Sequence, residues 1–351
     1  MNVKKSNIWG SNNNFCNLAE QYPGFTLARV LSQEKNMYRL LTDEGECFAR
    51  VSGKFRYRAV NTSDFPAVGD FVMADHICED SPGVIHVLLP RKSVFIRKAA
   101  GTGQTEQVVA ANIDTVFICM ALNNDFNIRR MERYLSIAWE SGAVPVVVLT
   151  KSDLCEELEQ KRLAVEAAAI GVDILETSAF EKNGIDKIQK YLQEGNTVAF
   201  IGSSGVGKST LINCLLGDER LAVGGLRDDD KGRHTTTHRE LLFLPDGAVV
   251  IDTPGMREIG MWDSEEGIDR TFADIEELAH HCRFRDCTHT SEPGCEVRKA
   301  LEYGSLSKER FMSYKKLKTE NAYFEDSESY LAVKEKKFKE IAKFNRNNRK
   351  R

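Results

Sequence analysis

From about Phe25 to Arg97 the apolar positions come in short runs broken by turn residues. FTLARVLS, MYRLLT, ECFARVS, DFVMAD, GVIHVLL and SVFIR read as strands. Glu44-Gly45, Val68-Gly69-Asp70 and Ser81-Pro82-Gly83 mark turns between several of them. Five or six strands in about seventy-five residues predict a small closed β-barrel, with the OB-fold as the leading candidate. Lys54, Arg56, Tyr57 and Arg58 fall between strands. Basic residues beside an aromatic suit RNA phosphates and bases, and an ordinary solvated loop is the plain alternative. Ala99 to Gln107 is small and polar and reads as a linker.

At Asn112 the pattern changes. IDTVFICMA is a continuous apolar strand, and RRMERYLSIAWES has helical spacing, with Met131, Leu135 and Ala138 on one side. VPVVVLT is a second buried strand. A helix over about Glu156 to Ala169, the strand end DILETSA, a helix over Gly184 to Leu192 and the apolar strand TVAFI follow. This βαβ series predicts a parallel sheet with helices on both faces and a ligand at the carboxyl ends of its strands. Gly224 to Glu240 is polar and reads as a mobile loop; ELLFL and AVVID straddle Pro245-Asp246-Gly247 as a hairpin. Beyond Trp262 the pattern is helical: DRTFADIEELAHH, CEVRKALEYG, KERFMSYKKLKTENAYF and a tail with nine Lys/Arg against two Glu from Lys334 to Arg351. That tail suits an RNA backbone, against the plain reading of a solvated helix with a frayed end.

The stretch TVAFI-GSSGVGKST carries the most chemistry. A buried strand, the spacing G-x-x-x-x-G-K-S and a helix after it are the context a phosphate-binding loop requires. Gly202, Gly205 and Gly207 let the backbone curl so that the N–H groups of Ser203, Ser204, Val206 and their neighbours point at phosphate. The helix start at Lys208, Ser209 and Thr210 adds its partial positive charge. Lys208 can reach the terminal phosphates, and the Ser209 hydroxyl can hold Mg²⁺. Thr150-Lys151-Ser152-Asp153 ends an earlier strand and fits [N/T]-K-x-D. Guanine presents N1–H and a 2-amino group to one carboxylate, so Asp153 can accept both, and adenine leaves it mismatched. Lys151 has a stem to lie against the base, and Ser178-Ala179 ends the next strand with a main-chain N–H for guanine O6. Asp252, in DTPG, would hold Mg²⁺ through water, and the Gly255 N–H would meet the γ-phosphate. One of Thr235, Thr236 and Thr237, with Thr236 preferred, would close the Mg²⁺ shell. The base reader precedes the phosphate loop, the reverse of the usual GTPase order, so the domain is circularly permuted. Close-lying chain ends in a compact α/β domain allow this.

The bulk properties fit a soluble protein. The chain has 351 residues, 42% hydrophobic and 28% charged, with net charge −4. It has room for two or three domains, no run of membrane-spanning length, and no uniformly basic character. MNVKKSNIWGSNNNF lacks the apolar centre of a signal peptide, so a cytosolic protein with a disordered lead-in is expected. Of nine cysteines, Cys16, Cys47, Cys78, Cys119, Cys155 and Cys214 are scattered and read as reduced, mostly core thiols. Cys282-x4-Cys287-x-His289-x5-Cys295 offers three thiolates and one imidazole, a closed tetrahedral set for one structural Zn²⁺. His280 and His281 compete, and plain reduced cysteines are the alternative.

The order TKSD, TSA, GSSGVGKST, GRHTTTH, DTPG, with a barrel before it and a Cys/His cluster after it, resembles one family over nearly the whole chain: the circularly permuted GTPases that assist small ribosomal subunit biogenesis, RsgA or YjeQ-like. EQVVAANIDTVFICMALNNDFNIRRMERYL matches as well. The resemblance implies an α/β fold in which an N-terminal OB-fold barrel, a permuted P-loop GTPase domain and a C-terminal helical zinc-binding domain follow in order. Expected boundaries are 1–22 for the lead-in, 23–98 for the barrel, 99–262 for the GTPase domain and 263–351 for the zinc domain with its basic tail. It also implies subunit-stimulated GTP hydrolysis and binding to ribosomal RNA, with Mg²⁺ accompanying GTP. A monomer with no membrane partner is expected. Many GTPases place a glutamine after DxxG to hold the attacking water; Met256 stands there, and a thioether cannot do that work. His234 is the candidate replacement, against a merely solvated loop histidine. The rival readings are an RNA-binding zinc scaffold whose nucleotide only stabilises the fold and an ATP-dependent kinase, the latter opposed by Asp153.

Overall fold

A computed structural model describes residues 13–34, 37–76, 81–98, 106–178, 184–217, 240–252 and 265–322. Strands β1 (Thr26–Glu34), β2 (Met37–Thr42), β3 (Gly45–Val51), β4 (Phe71–Asp75) and β5 (Gly83–Leu88) close into a barrel in the order β1-β2-β3-β5-β4. The β3–β5 pair is parallel and its other pairs are antiparallel, the arrangement of an OB-fold. Ala28, Val30, Tyr38, Leu40, Ala49, Val72, Ala74 and Ile85 fill its interior.

Three details differ from the sequence reading. The lead-in carries helix α1 (Asn13–Ala19), and Phe15 is buried with its ring 4.0 Å from that of Phe71, so the fold begins ahead of residue 23. Lys54, Arg56, Tyr57 and Arg58 sit on helix α2 (Gly53–Arg58), whose first turn is capped by Ser52 accepting from the Phe55 N–H at 3.0 Å. SVFIR does not join the barrel. It forms β6 (Val94–Lys98), antiparallel to β7 (Glu106–Ala111), so Glu106 and Gln107 are strand and not linker.

The central sheet has the order β10-β9-β8-β11-β13-β12. Its strands are β8 (Thr115–Ala121), β9 (Val144–Thr150), β10 (Asp173–Glu176), β11 (Thr197–Ile201), β12 (Glu240–Phe243) and β13 (Val249–Asp252). The first five in that order are parallel, and β12 adds an antiparallel edge through the predicted hairpin. The chain moves outward from β8 to β10, then returns to the other side of β8 with β11. That reversal is a topological switch point, where open α/β sheets place ligands. Helices α3 (Ile128–Glu140), α4 (Leu158–Ala168), α5 (Asp186–Gln189) and α6 (Lys208–Leu216) cover the sheet. Helix α5 is a single turn where the sequence pattern predicts a longer one. Of the scattered cysteines Cys119 is buried; Cys214 is exposed and Cys16, Cys47 and Cys155 half-buried, which corrects the core assignment, while Cys78 lies outside the described residues.

The barrel is seated on the sheet by polar groups as well as apolar ones. Arg29 is fully buried, and its Nη2 donates to Thr197 Oγ1 at 2.7 Å, at the first residue of β11. Asn112 Nδ2 donates to the Gly69 carbonyl at 3.1 Å. A Cβ on Gly69 would lie 2.2 Å from the Ala111 carbonyl oxygen, and its φ of +92° also favours glycine.

The C-terminal part is helical: α7 (Glu265–Thr271), α8 (Ala273–His280), α9 (Glu296–Tyr303) and α10 (308–322). Helix α10 is bound to α3 by a buried polar network. Arg310 Nη1 donates to Glu132 Oε1 (3.2 Å) and to the Ala168 carbonyl (3.2 Å). Its Nη2 donates to the Thr271 carbonyl (2.9 Å) and Asp274 Oδ1 (2.7 Å). Ser313 Oγ donates to Glu132 Oε2 at 2.5 Å. Glu132 is fully buried on α3, so these donors replace the water it loses. Among the described residues no helix is long and apolar enough to cross a membrane.

Candidate nucleotide and zinc sites

The phosphate loop leaves β11 as expected. Gly202 takes φ +145°, and a Cβ there would lie 2.4 Å from the Cys119 carbonyl oxygen, so the loop passes directly over the end of β8. Gly205 and Gly207 also take positive φ, at +75° and +105°. Helix α6 starts at Lys208, with Gly207 as its left-handed cap. Lys208 is buried, and its Nζ donates to the carbonyls of Gly202 (2.7 Å) and Ser203 (2.6 Å), which centres the ammonium inside the turn. Ser209 and Thr210 follow in the first turn of α6, half-buried.

The TKSD segment leaves β9 and lies against this loop. Thr150 Oγ1 donates to the Val206 carbonyl at 2.6 Å, and its own carbonyl accepts from the Leu122 N–H at 3.0 Å. Lys151 adopts a left-handed conformation, φ 58°, and a 3₁₀ turn over Ser152–Leu154 leaves Asp153 exposed. The Ser152 N–H donates to the Thr177 carbonyl at 3.3 Å, so the end of β10, with Ser178 buried, closes on the same segment. Asp252 stands half-buried at the end of β13, beside β11. The structure therefore brings Thr150, Lys151, Ser152, Asp153, Ser178, the loop from Gly202 to Thr210, and Asp252 to the carboxyl edge of one sheet. Ala179, His234, Thr235, Thr236, Thr237, Gly255 and Met256 lie outside the described residues.

Sequence reasoning does not find one residue of this crevice. Asp125, in the β8–α3 loop, accepts from Ser203 Oγ, and its Oδ1 accepts from Arg130 Nη1 at 2.7 Å. Burial pushes its carboxyl up, but the hydrogen bonds from Ser203 and Arg130 and the charges of Arg130 and Lys151 outweigh it, leaving the group below its ordinary range. Its position after a strand end, in a sheet that holds a phosphate loop, is the available signal.

The Cys/His cluster is assembled. The ligand atoms of Cys282, Cys287, His289 and Cys295 lie within 4.8 Å of one another. Cys282 Sγ is 3.8 Å from Cys295 Sγ and 3.7 Å from His289 Nδ1, and Cys295 Sγ is 3.4 Å from His289 Nδ1. A tetrahedral ion with Zn–S bonds of ~2.3 Å spaces its sulfurs at about 3.8 Å, so the donor set fits Zn²⁺. Cys295 caps α9, with Sγ accepting from the Arg298 N–H at 3.4 Å. Burial opposes ionisation of Cys282, yet N–H groups of Val297 and Glu296 at the same helix start bring its thiol below the ordinary value. His289 takes φ 58°, in a turn that Glu292 braces by accepting from the N–H groups of Thr288 (2.9 Å), Thr290 (2.9 Å) and Ser291 (3.0 Å). His280 and His281 are outside the cluster; His281 Nδ1 lies 2.8 Å from the Glu277 carbonyl.

These geometries agree with what the chain is similar to. The family model for the RsgA GTPase matches residues 88–262. The chain is 52% identical over 301 residues to small ribosomal subunit biogenesis GTPase RsgA 2 of Lactiplantibacillus plantarum, covering 86% of this chain and 84% of that one. It is 44% identical over 328 residues to RsgA 1 of Oceanobacillus iheyensis, covering 92% and 93%. Among solved structures, YjeQ from Thermotoga maritima superposes with a TM-score of 0.63 at 28% identity, over 84% of this chain and 98% of that one. YloQ, a circularly permuted GTPase, superposes with a TM-score of 0.61 at 24% identity, over 87% and 97%, which speaks to the fold alone. With its permuted site order and this degree of identity over most of its length, the chain belongs to the RsgA GTPase family.

Proposed function

We propose that this protein hydrolyses GTP to GDP and phosphate and uses the change of nucleotide state in late maturation of the small ribosomal subunit, through contact with its RNA. One observation carries the reading: Thr150 is bonded to Val206, so the guanine reader and the phosphate loop form a single crevice. Asp153 accepts N1–H and the 2-amino group of guanine, the stem of Lys151 lies along the base, and Ser178 and Ala179 close over O6. The N–H groups from Gly202 to Thr210 and the Lys208 ammonium hold the phosphates. Ser209, Asp252 and Thr236 would hold Mg²⁺, which would supply charge neutralisation when the nucleotide is bound. The Gly255 N–H fixes the γ-phosphate, and His234 positions the attacking water in place of the residue that Met256 cannot supply. Phosphoryl transfer depends chiefly on such positioning, so turnover is slow alone and stimulated by the small subunit.

The Cys₃His set would hold one Zn²⁺, a structural ion that would shape the loop between α8 and α9. The protein works as a monomer in the cytoplasm, with the barrel helix bearing Lys54, Arg56, Tyr57 and Arg58 and the basic tail meeting RNA. Support for the partner comes from the relatives, whose names join GTPase activity to small-subunit biogenesis. GTP turnover measured with and without purified small subunits tests the reading. Stimulated turnover with GTP preferred over ATP is expected. Tight GTP binding with no turnover under either condition would favour the scaffold reading.

A further inference from the structure

We propose, on the reading of this crevice as a guanine-nucleotide site, that Asp125 is a positioning residue that holds the phosphate loop and the base-reading segment in one register. Asp125 sits in a loop that is itself braced. Its N–H donates to Asn123 Oδ1 at 3.0 Å, the Phe126 N–H donates to the Asn123 carbonyl at 3.1 Å, and Asn127 caps α3 by accepting from the Arg130 N–H at 3.0 Å. The carboxylate is thus presented at a fixed height above β8, between the loops that leave β9 and β11.

Both grips on the nucleotide depend on it. Ser203 is held twice: its hydroxyl donates to Asp125, and its carbonyl accepts from Lys208 Nζ at 2.6 Å. A Ser203 that loses its anchor can rotate, and the carbonyl that centres Lys208 moves with it. On the other side, Arg130 Nη1 holds the same carboxylate from helix α3 at 2.7 Å. Thr150, already bonded to Val206, transmits any shift of one loop to the other. The neutral amide introduced by Asp125→Asn would still accept from Ser203 but would offer no charge to Arg130.

The test uses the full-length protein. Dissociation constants for GTP, GDP and inosine triphosphate are measured for wild type, Asp125→Ala, Asp125→Asn, Ser203→Ala and the double variant Asp125→Ala/Ser203→Ala, with thermal unfolding alongside. Asp125→Ala is expected to weaken GTP and GDP alike by ~10- to 100-fold, the range for loss of a charged hydrogen bond. The double variant is expected to be no weaker than Asp125→Ala, since both changes cut one link. The preference for GTP over inosine triphosphate, which lacks the 2-amino group, should narrow in Asp125→Ala and in Ser203→Ala alike, with Asp125→Asn nearer wild type. Fully additive losses, an unchanged preference, or affinity that only tracks unfolding temperature would overturn the role. Absence of GTP binding by wild type would instead remove the nucleotide reading beneath it.

Discussion

The hydroxyl of Thr150 donates to the carbonyl oxygen of Val206 at 2.6 Å, across 56 residues of sequence and one intervening strand. Thr150 is almost fully buried, so this bond is made away from water. Thr150→Val keeps the shape of the side chain and leaves the Val206 carbonyl without that donor, a cost of about 1–3 kcal/mol. GTP affinity should fall by ~10-fold or more, read by fluorescence titration, with the strand pairing of β8 and β9 intact by circular dichroism. Unchanged affinity would mean that the two loops hold their places independently.

Asp153 is exposed at the turn after β9, so substitution there touches recognition and leaves packing alone. Asp153→Asn replaces an acceptor with a donor. Guanine, whose edge offers donors, should bind at least ~100-fold more weakly, while xanthine triphosphate, with a carbonyl at that edge, should gain. Competition between the two nucleotides measures the exchange, and a variant that still prefers GTP would dissociate Asp153 from base reading.

Arg310 and Glu132 join helix α10 to the sheet-covering helix α3. Arg310→Met removes one of two cations from a fully buried carboxylate, which keeps Arg129 Nη1 at 2.7 Å and the Ser313 hydroxyl, so the loss in urea unfolding should be about 1–3 kcal/mol. Adding Glu132→Gln should restore part of the loss, because the buried charge left with Arg129 as its cation is then gone. If the double variant is as unstable as the single one, the packing of Arg310, whose guanidinium lies 4.9 Å from the Phe272 ring centre, matters more than its charge.

The metal cluster yields a check independent of nucleotide. Purified protein should carry one zinc per chain by atomic emission, and Cys295→Ala should lose it. Because Cys295 also caps α9, that variant should lose helical content near residues 296–303, visible as faster amide exchange there. Zinc-free protein with unaltered exchange in α9 would refute a structural role for the ion.

Much of this architecture is legible in the sequence because it is written in local pattern. Continuous apolar runs mark β8, β9 and β11, each buried on both faces, and glycine spacing marks the phosphate loop. The order of TKSD and GSSGVGKST discloses the permutation, and spacing alone identifies the four metal ligands that the fold assembles. What stays hidden depends on contacts between distant residues. Asp125 has no periodicity to announce it; only the fold brings it to Ser203. Glu132 falls on what reads as the solvated side of an amphipathic helix, yet α10 covers that side as well. Pattern alone assigns β6 to the barrel because strand propensity carries no information on partner choice, and β7 begins inside a polar stretch. Phe15 escapes notice because an asparagine-rich surround masks a short helix that one buried ring holds in place.

The bond from Arg29 to Thr197 ties the barrel to the very strand that launches the phosphate loop. The barrel is therefore a lever bolted to the engine and not a trailer on a flexible hitch. Whatever surface it rests upon sets the bearing of the catalytic edge, and a fragment cut off between residues 89 and 94 would bare the floor on which Gly69 sits against Ala111. Chain halves expressed separately should for that reason cling together or precipitate, sooner than behave as two well-mannered domains.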